Sequence, residues 1–523
     1  MPRYKPYDYD QLMMIPVSLE QQLVPGTLEY AIHELIEERV DTSIFDEKYR
    51  NEDTGRTAYD PKVLLKIVLF AYSRGILHSR RMERACKENV TFMALACGQK
   101  PDHSTLAAFV SSMGEERIVS LFTQVLLVCD QEGLLGGTQF SMDGLKLPAN
   151  ASKEWSGTQA ELLKKKEKLE AKVKEAVREQ RKEDAAKSGT SRRGGDPDRE
   201  REERRIKRLK RQAERIEKFL ASTEPKRGVR GKEIQSNVTD NESAKMVSSH
   251  GVIQGYNANA LVDGKSQVIV HAQAFGEGED AKVVAPMLEG AERNLKAAGL
   301  GDEPLKDVQV SADTGYFSVE NLEACRDAQV DAYIPDREFR KRDPRFGEAG
   351  RHRRSVDKHK QRYESKKRWY TPDDFRWDDR TKSLLCPAGH ALYKNGKSYE
   401  VNGYRALSYR APKHACRSCS LRAKCLRHPH TPARQVRLFY GKRPGSLTDA
   451  MKAKIDTPEG RRIYSRRLST VEPVFANVRA QKRMDRFTLR GRLKVTIQWM
   501  LYCMVHNIEK ILNFGESYAI AVA

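Results

Sequence analysis

The sequence predicts an α/β protein: a mixed sheet with flanking helices, preceded by a helical N-terminal domain and interrupted by two insertions. Three observations predict it. Apolar residues recur at helical spacing over 59–130. Alternating strand patterns begin at 136 and return over 252–334. Two long stretches, one after the first strand and one after the last, read as insertions, and the first is too charged to form a core.

In the first region Val63, Leu64, Ile67, Val68 and Tyr72 share a helical face, and Arg74-Gly75-Ile76 stops the helix. A second helical stretch is expected over 82–95. A third follows Pro101-Asp102-His103-Ser104-Thr105, with Asp102 or Ser104 as its N-cap. Residues 138–145 read as a strand in which Phe140 and Met142 face one way and Gln139, Ser141 and Asp143 the other. Residues 161–220 hold 22 basic and 14 acidic side chains with recurring Leu and Ile. That pattern predicts a helical hairpin or short coiled-coil arm, broken by a flexible segment over 188–195. Strands resume as a hairpin over 252–274, turning at Asp263-Gly264-Lys265. A helix over 280–295 and a strand over 308–313 follow, the strand carrying Asp313 in phase with Gln309 and Ser311. A helix over 319–328 and a strand over 331–334 close the pattern. The predicted segments are 1–135 (helical domain), 136–150 (first core strand), 151–235 (charged arm), 236–335 (core), 336–445 (basic insertion) and 446–515 (C-terminal core helices).

Composition narrows the function classes. At 523 residues, 39% hydrophobic and 32% charged, the chain reads as soluble with polar insertions. No run approaches the roughly 20 apolar residues of a membrane helix, and the start lacks the apolar stretch of a secretory signal. A cytoplasmic protein with no membrane partner is expected. The net charge is +22, and residues 331–523 alone hold 44 Lys and Arg against 19 Asp and Glu. Such a basic half suits a polyanion binder, although charge alone does not separate DNA from RNA or an anionic membrane.

Of nine cysteines, Cys86, Cys97, Cys129, Cys325 and Cys503 stand alone as reduced thiols. The remaining four form Cys386-Pro387-Ala388-Gly389-His390 and Cys416-x2-Cys419-x5-Cys425. Closely spaced cysteines in a cytosolic chain predict a closed structural Zn²⁺ site, with His390 or His428 as substitutes for one thiolate. The basic residues around them make this segment a candidate DNA-contacting module.

Two aspartates, Asp143 and Asp313, end polar phases of separate strands. A third carboxylate, Glu472, lies in Thr470-Val471-Glu472-Pro473-Val474-Phe475. Pro473 lacks an N–H and is expected at the first helical position, which puts Glu472 at the N-cap. Arg479, seven residues on, would then face the same side. Arg466, Arg467, Lys482 and Arg483 surround this group.

In these segments the chain resembles the bacterial insertion-sequence DDE transposases with an InsH-type helical N-terminal domain. The resemblance rests on Y-D-P-K-V-L-L-K from Tyr59, P-D-H-S-T-L-A-A-F from Pro101 and F-S-M-D-G at Asp143. It continues through T-D-N-E-S-A-K-M from Thr239, G-V-I-Q-G-Y-N-A-N from Gly251, S-A-D-T-G-Y-F at Asp313 and V-E-P-V-F at Glu472. Related enzymes often carry Y-x2-R-x3-E-x6-K; here Tyr464 and Arg467 fit, Glu472 comes one residue late, and Arg479 replaces the lysine.

The resemblance implies a ribonuclease H-like core in which Asp143, Asp313 and Glu472 bind two Mg²⁺ ions (or Mn²⁺). Carboxylates are the hard ligands such ions prefer. It also implies hydrolysis at the transposon ends, followed by transfer of the 3′-OH into target DNA. Tyr464, Arg466, Arg467, Arg479, Lys482 and Arg483 are the expected DNA-binding residues near the site. Lys62, Arg80, Arg81 and Arg84 are the expected end-recognition residues of the helical domain. A homodimer on paired inverted repeats is expected, with the charged arm as subunit contact because its apolar residues need a partner surface. Two alternatives stay open: a metal nuclease of the same fold that does not join, and an inactive DNA-binding relative.

Overall fold

A computed structural model describes residues 18–48, 57–186, 197–228, 231–248, 251–346, 369–401, 404–428, 430–442 and 446–516. The flexible segment expected over 188–195 lies outside these residues. The chain divides into two units, Met1–Ile334 with Arg462–Ala523, and Pro335–Arg461.

In the first unit the N-terminal helices are α1 (Leu28–Glu34), α2 (Pro61–Ser73), α3 (Ser79–Glu88), α4 (Val90–Leu95), α5 (His103–Ser111) and α6 (Gly114–Gln131). Local chemistry places their ends. Asp60 caps α2 ahead of Pro61, and Asp102 caps α5 by accepting from the Thr105 N–H at 2.8 Å. Asn89 splits the single helix predicted over 82–95. Its extended backbone ends α3, and its Oδ1 accepts from the Phe92 N–H at 3.2 Å to start α4.

The core sheet is built from β1 (Gln139–Pro148), β2 (Ala244–Ser248), β3 (Gly251–Asp263), β4 (Ile269–Phe275), β5 (Gln309–Ala312) and β6 (Asp331–Tyr333). Its order is β2-β3-β1-β5-β6, with β4 also paired to β3. The pairs β4–β3 and β3–β1 are antiparallel, whereas β1–β5 and β5–β6 are parallel. The parallel joins require crossovers, and α10 (Val319–Asp327) supplies the one between β5 and β6. Helix α9 (Val284–Ala297) packs on β4, starting four residues later than the predicted 280.

Between β1 and β2 stand α7 (Gln159–Ala186) and α8 (Pro197–Ser222), packed on each other as the charged arm. Its apolar residues have partners within the arm and at its root. Leu162 and Ile216 pack with Val238 and are joined by Leu169, Phe219 and Leu220. The premise that they need another subunit is therefore corrected.

The second unit holds β7 (Arg376–Asp378), β8 (Ser383–Leu385), β9 (Ala391–Lys394), β10 (Tyr399–Val401), β11 (Tyr404–Arg410) and β12 (Gln435–Lys442). They form one antiparallel sheet, β10-β11-β9-β8-β7 with β12 on β11. Short helices α11 (Lys413–Arg417) and α12 (Arg422–Cys425) lie between β11 and β12. Helix α13 (Leu447–Asp456), placed by the sequence with the C-terminal core, belongs to this unit instead.

The chain returns to the first unit through α14 (Pro458–Ala476) and ends in α15 (Arg492–Phe514). Helix α15 is buried along most of its length and packs against α2, α6 and β4. Tyr502 stacks on Tyr72 with ring centres 4.7 Å apart. Asn507 bonds both backbone groups of Ile269, at 2.9 and 2.8 Å, which satisfies that residue at the start of β4.

Candidate functional site

Register brings two aspartates together. Met142 pairs with Ala312 across the parallel β1–β5 join, so Asp143 within β1 and Asp313 just past the end of β5 stand side by side. Parallel strands lie roughly 5 Å apart, which puts both carboxylates within reach of one cation. That cation is Arg467 from α14. Its guanidinium bonds Asp143 at 2.7 Å and stands 3.8 Å from Asp313, while the Tyr464 hydroxyl reaches Asp313 at 3.4 Å. Tyr464 and Arg467 are three residues apart and so share a helix face.

Small residues keep the site open. A Cβ at Gly144 would come within 2.7 Å of Asn257 Oδ1 and 2.9 Å of Asn259 Oδ1. A Cβ at Gly315 would come within 2.8 Å of Asp280 Oδ2. A third carboxylate therefore borders the pair: Asp280 accepts from Asn257 Nδ2 at 2.6 Å. The Tyr316 hydroxyl bonds Asn259. Asn257 Oδ1 is buried with no hydrogen-bond partner among the described residues, an unmet acceptor at the edge of the acidic group.

Burial pushes the Asp143 carboxyl above its ordinary range, and Arg467 acts against that rise. Burial likewise raises Asp280, opposed by Asn257 and Lys146 and assisted by Asp313. For Arg467 burial acts downward, but Asp143, Tyr464 and Asp313 outweigh it and hold the guanidinium above its ordinary value. Two carboxylates thus share one buried guanidinium with a third, Asp280, at their edge, an arrangement that attracts further positive charge. Sequence reasoning missed Asp280 and the Asn257–Asn259 pair. The one available signal was that Asn257 and Asn259 alternate in phase on β3, opposite Lys146 and Gly144.

Glu472 does not join this group in the structure. It is exposed, and its side chain has no hydrogen bond or ion pair among the described residues. Nor is it an N-cap: α14 runs through it with Pro473 in the helix interior. The prediction treated Pro473 as a helix start because it cannot donate to the carbonyl four residues back. The fold meets that deficit from outside, because Gln267 Nε2 donates to the Ser469 carbonyl at 3.0 Å. Five residues separate Glu472 from Arg467, about 140° around a helix at roughly 100° per residue, so the two face different sides. Beyond Ala476 the helix widens into a π-turn, Asn477–Gln481, where the Lys482 N–H bonds the Asn477 carbonyl at 3.1 Å. This turn breaks the phase expected between Glu472 and Arg479.

The other expected DNA contacts separate by burial. Lys482 is 1% exposed, bonds Glu509 at 2.5 Å and is depressed by burial. It is therefore a core ion pair, and its assignment to DNA is corrected. Arg466 and Arg483 are exposed and Arg479 is half-buried. In the helical domain Arg80, Arg81 and Arg84 are exposed on α3, whereas Lys62 lies on α2 and bonds the Glu37 carbonyl at 2.9 Å.

In the second unit Cys386, Cys416, Cys419 and Cys425 line one cavity of about 20 Å³ together with His390; His428 is not among its lining residues. The first knuckle is a tight turn. Gly389 has φ +81°, its N–H bonds the Cys386 carbonyl at 2.8 Å, and the His390 N–H reaches Cys386 Sγ at 3.3 Å. Burial raises the Cys425 thiol, with Cys416, Cys386 and Cys419 adding to the rise and Arg434 opposing it. Among the described residues no three His, Cys, Asp or Glu side chains stand in position to hold a metal ion. Likewise, no helix among them is long and apolar enough to cross a membrane.

Comparison with known families matches two stretches. Residues 17–112 match the family described as Transposase domain (DUF772), and residues 385–512 match Transposase DDE domain. The second stretch contains the four clustered cysteines and Glu472, while Asp143 and Asp313 fall between the two. No curated protein matches the chain.

Proposed function

From the premise that the chain is an insertion-sequence DDE transposase, we propose that it cuts the ends of a mobile DNA element and joins them to target DNA. The observation that carries this reading is the pairing of Asp143 and Asp313 on adjacent parallel strands around one guanidinium. The strand order, with an antiparallel trio followed by two parallel strands, supports a ribonuclease H-like core. Such a protein works on DNA in the cytoplasm.

The residues fit divalent ions. Asp143 and Asp313 offer hard oxygen ligands, a positive charge already sits between them, and Asn257 Oδ1 nearby lacks a partner. Two Mg²⁺ or Mn²⁺ ions, when bound, supply activation of the attacking oxygen and stabilisation of the leaving one. Asp143 and Asp313 would hold them, with Glu472 as third carboxylate. Bringing Glu472 in requires α14 to rearrange about Pro473, a change that DNA binding would have to drive. Arg467, released from the carboxylates, and Tyr464 would then take the phosphate oxygens of the cut strand. Water breaks the phosphodiester and leaves a 3′-OH. That hydroxyl attacks a target phosphodiester, forming one P–O bond as another breaks.

Pairing two ends calls for a homodimer with one site per end. Cys386, Cys416, Cys419 and Cys425 would hold one structural Zn²⁺, which would draw the four thiolates inward around the existing cavity. The exposed position of Glu472 favours one second reading, a DNA-binding relative that does not cut. A single assay separates the two. Purified full chain is incubated with Mg²⁺ and a labelled DNA carrying the ends that flank its gene, with target plasmid. The proposal expects new 3′-OH ends and joined product, both lost in Asp143→Asn and Asp313→Asn. Binding without cutting under Mg²⁺ and Mn²⁺ would favour the second reading.

A further inference from the structure

Helix α8 carries its charges in two classes. Towards its start, Arg199, Arg204 and Arg205 are tied to Glu203, Glu200 and Glu202 along the helix. Lys207, Arg208, Arg211 and Arg215 are exposed and make no ion pair among the described residues. The helix sets Arg204, Arg208, Arg211 and Arg215 within about 60° of one another, with Lys207 beside them. They line an open hollow of about 510 Å³ with Gln212 and Trp155, and no carboxylate among the described residues lines it. Trp155 is fixed there by the Lys165 ammonium, 4.4 Å from the centre of its ring.

Four unpaired cations on one face cost stability through mutual repulsion unless an anion meets them. The arm's apolar residues already pack among themselves and against the arm's root, so this face is not needed for folding. From Lys207 to Arg215 the unpaired stripe spans about 12 Å, against about 3.4 Å of axis per phosphate along one DNA strand. It therefore matches three or four base steps of duplex, a length over which backbone phosphates of both strands come within reach. We propose that this face of α8 is a second DNA-binding surface, one that grips the backbone of duplex DNA without reading its sequence. The proposal rests on the transposase reading and gives the arm a role in holding DNA in place of the subunit contact.

The test uses full-length protein and a labelled duplex of arbitrary sequence, with affinity measured across a salt series. Each phosphate contact contributes about 0.9 to the slope of log affinity against log salt. The quadruple variant K207Q/R208Q/R211Q/R215Q should lose about 3 to 4 from that slope. The ratio of wild-type to variant affinity should then shrink roughly tenfold for each doubling of salt. The variant R199Q/R205Q, which removes only ion-paired arginines, should keep the wild-type slope. Helical content of both variants, followed by circular dichroism, guards against an unfolded arm. A quadruple variant with unchanged slope and affinity overturns the proposal while leaving the transposase reading in place. A wild-type protein with no salt-dependent affinity for duplex DNA overturns both.

Discussion

Replacing Arg467 by Gln tests the acidic site most directly. The Arg467 side chain is 8% exposed and that of Asp143 27%, and their closest atoms are 2.7 Å apart. With charge centres near 4 Å, the attraction is about 4 kcal/mol at an effective dielectric of 20. Removing one partner of a buried pair costs about 3–5 kcal/mol, because the other charge is left unpaired. Asp143 keeps some solvent, so a loss of about 3 kcal/mol is expected near neutral pH, read as a shift in denaturant midpoint. The deficit should narrow as pH falls. Burial already raises Asp143, and without Arg467 it rises further; the folded variant then binds a proton more readily than the unfolded chain. Mg²⁺ should also stabilise the variant more than the wild type, since in the wild type an ion must displace the guanidinium. A loss below about 1 kcal/mol, or an equal Mg²⁺ effect on both proteins, would refute this account.

Other outcomes follow from the same structure. Protein purified without chelator should carry one equivalent of zinc by elemental analysis, and Cys419→Ser should release it; retention of zinc by that variant would remove Cys419 from the ligand set. Burial depresses His271 to about 4 and His506 to about 3. Below about pH 6.5 the unfolded chain binds protons that the fold does not, so stability should fall with pH by up to about 1.4 kcal/mol per unit for each histidine. Denaturation near neutral pH and at about pH 5 checks this, and His506→Gln should remove roughly half of the loss. Gln267→Ala should cost about 1–2 kcal/mol by leaving the Ser469 carbonyl without its donor and the Lys510 ammonium without this acceptor. Adding Pro473→Ala should recover part of that cost, because residue 473 then supplies the N–H; strictly additive effects in this cycle would show that the contact carries no energy.

Much of the architecture was legible from local chemistry. The cap at Asp102 and the stop after Tyr72 depend on a few adjacent residues, and the structure keeps them. Strands form at β1, β3 and β5 as expected, but they are buried on both faces over much of their length instead of alternating. Asp143 and Asp313 could be picked out because each ends the polar phase of a strand, although Ser141 and Ser311 of that phase are buried in the fold. Glu472 was less so. Reading Pro473 as a helix start assumes that the carbonyl it leaves unmet has no other donor, and Gln267, more than 200 residues away, supplies one.

The amino-acid sequence by itself determined the order of helices and strands, the two aspartates, the cysteine spacing and the placement of positive charge, because each follows from period, turn chemistry or composition. Only the tertiary structure decided which charges are free to act. It buried Lys482 against Glu509, set Arg467 between two carboxylates and added Asp280 to their edge. It also closed the arm on its own apolar residues while leaving a line of α8 cations unpaired. The physical reason is that pairing, burial and the field at a carboxylate depend on residues brought together from distant parts of the chain, and no local pattern records which of them will meet.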